Sequence, residues 1–118
     1  MHAQLAFLLE IQDLRSQKQG MEDGTLGSVE SDVFAVKVGD AIELLDEKVA
    51  ELEGRLTEEI HERYRRMSDK GMRTVAPVLS GICYGCFMAV ATARASDAAR
   101  NSRVENCEHC GRFLYHVG

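Results

Sequence analysis

The residues best equipped for chemistry are the chain's four cysteines. They form two C-x-x-C pairs, Cys83-Tyr84-Gly85-Cys86 and, after twenty residues, Cys107-Glu108-His109-Cys110. A C-x-x-C turn brings two thiolates to one side, and two facing turns make a sulfur tetrahedron suited to Zn²⁺, with Zn–S near ~2.3 Å. Gly85, inside the first turn, and Gly111, just after the second, are expected where the backbone bends with positive φ. Such turns aim backbone N–H groups at the sulfurs and offset the doubly negative Zn(Cys)₄ centre. Four thiolates leave no open coordination position, so the predicted ion is structural. His109 and His116 lie close by in sequence, but four cysteines suffice without them. Other uses of the same cysteines are two disulfides, a thioredoxin-like redox pair, or a zinc site that releases its metal on oxidation. The first needs an oxidising compartment, the second normally a C-x-x-C opening a helix beside a βαβ pattern, and the third a reactive thiolate.

The surrounding composition is that of a folded chain of about one domain: 118 residues, 45% hydrophobic and 28% charged. No run approaches the ~18 apolar residues of a membrane span. The opening Met1-His2-Ala3-Gln4 carries no basic stretch, and Glu10 and Asp13 interrupt the apolar run that follows, so a secretion signal is not expected. Cysteines in this layout without such a signal point to the cytoplasm. The net charge of −5 is uneven: residues 1–60 carry −9 and residues 61–118 carry +4. An acidic arm and a mildly basic tail invite different partners.

The elements that must position the cysteines follow from apolar spacing. Residues 2–21 read as a helix, with Phe7, Ile11, Leu14 and Met21 on one stripe and Leu5, Leu8 and Leu9 on an adjacent one. So wide a face must be buried against more than one neighbour. Residues 22–40 read as an acidic, glycine-bearing connector in which 33–38 forms a short extended piece. Asp40 and Glu43 form a capping box that opens a second helix over 41–69. Ile42, Leu45, Val49, Leu52 and Leu56 make a coiled-coil seam along it. Ile60, Tyr64 and Met67 continue the seam after a four-residue shift, and Gly71 ends the helix. Residues 71–118 supply short β segments at 74–79, 87–91 and 112–117, with Pro77 placing its strand at an edge or bulge. The expected fold class is α+β: an antiparallel helical hairpin over 1–70, then a small C4 zinc-binding β module over 71–118.

Tyr64-Arg65-Arg66-Met67 at the end of the arm, Gly81-x-Cys83-x-Gly85-Cys86, and the closing Cys107-x-x-Cys110-Gly111-Arg112-x-Leu114-Tyr115 carry a resemblance. The chain resembles the bacterial family of C4-type zinc-ribbon proteins with an N-terminal coiled coil. The motifs cover roughly residues 60–118, and the arm matches in pattern only, many relatives having a much longer one. The resemblance implies one zinc at Cys83, Cys86, Cys107 and Cys110. It further implies a non-enzymatic adaptor that binds RNA or transcription components such as an alternative sigma factor.

Two functions compete on the residues themselves. Arg63, Arg65, Arg66, Lys70 and Arg73 gather where the helix meets the ribbon, and Arg94, Arg100, Arg103 and Arg112 lie on the ribbon. Such cations can meet phosphates while Tyr84, Phe87 or Tyr115 stacks on unpaired bases, which favours single-stranded RNA over duplex DNA. The alternative is a pure protein-interaction module whose acidic arm docks a transcription-related protein, with Glu22, Asp23, Glu30 and Asp32 at its tip. Either works as a monomer or as a homodimer through the arm. No Ser/His/Asp grouping or phosphate-cradling glycine motif is present, and His61 among Glu58, Glu59 and Glu62 reads as an exposed helix position, so no enzyme is expected.

Overall fold

The helices of this protein are placed by where apolar side chains recur and by what interrupts them. The computed structural model describes residues 1–27, 32–90 and 101–117, with only the backbone described in 24–27 and 32–36. α1 (Ala3–Gly27) carries Leu5, Leu8 and Ile11 on one fully buried stripe, flanked by half-buried Phe7, Leu9 and Leu14. α2 (Asp32–Gly54) runs antiparallel to it: Lys18 of α1 meets Asp46 at 2.8 Å, and Gln4 meets the Arg55 carbonyl at 3.0 Å. The bond to Asp46 also holds the Lys18 ammonium charged to higher pH than usual.

The connector expected over 22–40 is largely helical. α1 continues to Gly27 and α2 begins at Asp32, so the extended piece expected at 33–38 forms the first turns of α2, and the Asp40–Glu43 box lies inside it. Cooperativity explains the difference: each residue added to an existing helix gains a hydrogen bond, whereas a lone strand here has no neighbour to pair with. Glu30, and the side chain of Asp32, lie outside the described residues.

The helix expected over 41–69 is two helices. It breaks after Gly54, and α3 (Glu58–Asp69) turns back along α1. Gln4 holds both sides of the break, its amide nitrogen donating to the Arg55 carbonyl and its oxygen accepting from the Thr57 N–H at 2.8 Å. Eleven residues farther along each helix, Arg15 donates to the Tyr64 hydroxyl at 2.9 Å and to Ser68 Oγ. A straight helix would carry Ser68 roughly 16 Å past the start of α1 at ~1.5 Å per residue. The four-residue shift in the apolar register was the sign of this break, and Glu58 and Glu59 suit the first turn of a new helix. Gly71 ends α3 as expected: with φ of 72°, it donates to the Ser68 carbonyl while Met72 donates to that of Met67, a Schellman closure.

The chain then enters a three-stranded sheet, order β2-β1-β3, made of β1 (Val75–Leu79), β2 (Ile82–Cys83) and β3 (Phe113–His116). β1 and β2 form a hairpin through Ser80 and Gly81, both with positive φ, and β3 lies parallel to β1 in register Val75↔Phe113. β1 is therefore the central strand, and the edge position expected for Pro77 does not hold. Thr74 and Val78 accept from the N–H groups of Phe113 and Val117, so by alternation Pro77 faces the β2 side; its carbonyl accepts from Tyr84, and the N–H it lacks would fall where β2 has already ended at Cys83. The strand expected at 87–91 reduces to one bridge, Ile82↔Ala89, within the described residues.

Alternation also divides the sheet between two cores. Val75 and Phe113 pack with Leu5, Leu8, Ile11, Leu52, Leu56, Tyr64 and Met67. Ala76, Val78 and Leu114 face the other way, onto Cys83 and Cys107. A boundary at residue 70 thus separates elements whose side chains share one apolar core. Among the described residues, no helix is long and apolar enough to cross a membrane.

Candidate metal centre and its surroundings

Two turns of the same backbone design present the four cysteines. In the first, Phe87 N–H donates to the Cys83 carbonyl and Cys83 N–H to the Met88 carbonyl. In the second, Gly111 donates to Cys107 and Cys107 to Arg112, the same offsets. Cys83 closes β2 and Cys107 follows the Asn106↔Phe113 bridge, so the sheet fixes the base of each knuckle.

The sulfurs converge. Cys83 and Cys110 lie 3.8 Å apart, as do Cys86 and Cys107, and all four are within 4.8 Å of one another. A zinc ion with four Zn–S bonds of ~2.3 Å requires S···S edges of about 3.8 Å. A disulfide requires about 2.05 Å, so the cysteines are not paired as disulfides. The donor set, its spacing and its closed tetrahedron fit one structural zinc, which would supply no reactive position.

Hydrogen bonds and burial tune the thiols as expected. Burial pushes the Cys83 thiol up, against backbone N–H bonds from Gly85 and Cys86. At Cys86 the Met88 N–H pulls downward most strongly, yet burial and the neighbouring thiols carry it up to about 12. Cys110 occupies the equivalent place in the second knuckle. Burial raises it, but the Arg112 N–H and guanidinium together with the Cys107 and Cys86 sulfurs outweigh that and bring it to about 7. Zinc displaces the protons that these groups share, so its affinity falls as pH falls.

Positive φ was expected at Gly85 and Gly111. Gly111 has it, at 79°, but the matching position in the first knuckle is Phe87, at 62°. Gly85 is required for a different reason. A Cβ there would lie 2.6 Å from Arg112 Cδ and 3.1 Å from the Ala76 Cβ. Arg112 crosses over Gly85 to donate to the Arg73 carbonyl at 3.0 Å. His109 is exposed and His116 is buried against Glu105, outside the sulfur cluster.

The candidate phosphate-binding cations fall into groups. Arg66 pairs with Glu62 at 2.6 Å, Arg103 with Glu105 at 3.0 Å, and Arg63 donates to Asn106 at 3.3 Å. Arg65 and Lys70 are exposed on α3 and at its end. Arg73 and Arg112 border a cleft with Tyr84 and Gly85. Tyr84 and Phe87 are 48% and 71% exposed, their rings 5.7 Å apart, whereas Tyr115 packs against the helical core. Arg94 and Arg100 lie outside the described residues. Two residues were missed. Asn101 clasps His116 through both its amide atoms, and Arg15 of α1 reaches the helix-to-ribbon junction. Neither carries a local sequence signal, because each acts on a partner distant along the chain.

Residues 82–114 match the family model described as a C4-type zinc ribbon domain. No curated protein matches the chain. Among solved structures, the 2.12 Å structure of CT398 from Chlamydia trachomatis is similar over 97% of this chain and 74% of that one, at 16% identity and a TM-score of 0.46. Family match and sulfur geometry meet on the same residues: the chain carries a C4-type zinc ribbon domain at 82–114, with Cys83, Cys86, Cys107 and Cys110 holding one structural zinc.

Proposed function

We propose that this protein is a non-enzymatic zinc-ribbon adaptor that binds single-stranded nucleic acid, RNA in preference to duplex DNA, through the face beside its first knuckle. The observation that carries the reading is Phe87. It holds the left-handed backbone position that glycine holds in the second knuckle, and it leaves 71% of its surface in water. Neither the turn nor the core benefits from a bulky side chain there, and such strain collects at functional sites. Paired with Tyr84, it offers an aromatic surface on which unpaired bases stack.

The test is fluorescence anisotropy of a labelled single-stranded oligoribonucleotide at rising salt. Affinity is expected to fall linearly on logarithmic axes as counterions are released. Phe87→Gly should keep its zinc and melt no lower but bind at least about fivefold more weakly, the loss of one stacking contact. No binding at low salt, or full binding by the variant, would overturn the reading.

A second reading draws on α2. Leu44 is 60% exposed beside the exposed Glu43 and Glu47, a surface suited to a basic, transcription-related protein such as a sigma factor or polymerase subunit. Partners that survive nuclease treatment of the purified native complex would favour it.

A further inference from the structure

The positive charge of the second half is not equally available over its surface. The cleft between α3 and the second knuckle contains Arg63 and Arg66, but Glu59 and Glu62 line it with them. Two other clefts, of about 290 and 310 Å³, are lined by no carboxylate among the described residues. Arg15, Ser16 and Gln19 of α1 line the first together with Arg73, and Arg73 and Arg112 line the second together with Tyr84. Arg73 is common to both, so the clefts adjoin.

The partners of these arginines matter as much as their positions. Arg15 donates to two hydroxyls, those of Tyr64 and Ser68. Glu53 approaches the far side of the same system through the Tyr64 hydroxyl, whose pKa burial and that contact raise. Among the described residues no carboxylate forms an ion pair with Arg15, Arg73 or Arg112. Arg112 also hydrogen-bonds the Cys110 sulfur. Arg15 and Arg73 keep theirs for an outside anion.

We propose that Arg15, Arg73 and Arg112 form a continuous cationic track from the middle of α1 to the Tyr84–Phe87 pair, along which the phosphates of a single-stranded RNA lie while a base stacks at the knuckle end. The track rests on the nucleic-acid reading above and gives the strand its path. It is built only by the fold: Arg15 belongs to the acidic half by sequence and reaches the ribbon because α3 turns back along α1. A strand suits it better than an acidic peptide because the track ends on exposed aromatic rings, whose faces accept any base. Duplex is disfavoured because its stacked bases cannot reach those rings.

The experiment measures anisotropy of a fluorescein-labelled twelve-nucleotide oligouridylate across a salt series, on zinc-loaded full-length protein. Among the described residues the Arg73 side chain is exposed and only its carbonyl bonds another part of the fold, so Arg73→Gln leaves folding intact. It is expected to lower the slope of log affinity against log salt by about one unit, the loss of one phosphate contact. Arg15→Gln should do likewise, with its melting curve recorded because Arg15 also braces Tyr64. Arg66→Gln, whose charge Glu62 already offsets, should change the slope by less than half as much. If the unaltered protein binds the oligonucleotide but Arg73→Gln matches it, or Arg66→Gln costs as much as Arg73→Gln, the track is wrong and nucleic-acid binding stands. If the unaltered protein does not bind at all, both readings fall. Displacement of the oligonucleotide by polyglutamate at equal charge concentration would assign the track to an acidic protein and overturn it.

Discussion

The two zinc knuckles share one backbone and present opposite surfaces. Each closes with the same pair of hydrogen bonds and places its cysteines at the same offsets. Between those cysteines the first carries Tyr84-Gly85 and the second Glu108-His109; just after them stand Phe87 and Gly111. The second knuckle shows the economical solution, a glycine at the left-handed position and polar residues toward water. The first departs from it twice, accepting strain at Phe87 and presenting aromatic rings to solvent. What zinc demands is common to both turns, so what differs between them reports on something other than zinc.

The largest expected effect removes what the knuckles share. Cys83→Ser and Cys107→Ser should each bring zinc well below one per chain, whichever knuckle is altered, because three sulfurs no longer close the tetrahedron. Zinc sites in small modules are worth about 10–16 kcal/mol, more than a short sheet can replace. Elemental analysis and circular dichroism would show the metal gone and the ribbon loosened, with most helical signal retained. Metal retained by both variants would overturn the ligand assignment. Acidification of the unaltered protein should act in the same direction, since protons compete for the four sulfurs.

The left-handed positions sharpen the comparison at smaller magnitude. Gly111→Ala should cost roughly 1–2 kcal/mol, because a Cβ at φ of 79° is strained even though the space around it is open. Phe87→Gly should be neutral or stabilising by up to about 1 kcal/mol, having relieved strain at the matching place. Urea unfolding of zinc-loaded protein measures both, and equal losses would mean that Phe87 is structural after all. The smallest contrast lies inside the knuckles. Gly85→Ala should cost about 1 kcal/mol, because Arg112 must leave its place across the turn and Ala76 stands close behind. His109→Ala, at the equivalent and exposed position, should fall within about 0.5 kcal/mol of the unaltered protein.

Some of these features are local, and local features can be read from residue types. The metal site is one: C-x-x-C closes its own turn, so spacing alone brings each thiolate pair together and only the facing of the two pairs remains to be set. The end of α3 at Gly71 and the strands β1 and β3 are likewise decided within a few residues. The hairpin turn at Ser80-Gly81 is local too: Ser-Gly is a turn-forming pair whose glycine takes positive φ at no steric cost.

Other features depend on partners far away in the chain. Leu52 and Leu56 fit one continuous helical seam as well as they fit a break. Gln4 decides between these by bonding both sides of the interruption at Thr57. Once α3 folds back, Val75 and Phe113 join the helical core, Arg15 arrives beside Arg73, and the acid-free clefts come into being. Propensity and periodicity reach over a turn or two of chain, and they settled where the metal and the strands β1 and β3 would be. Burial and charge compensation are sums over everything nearby in space, so only the packed molecule decided which arginines are neutralised and which stay available.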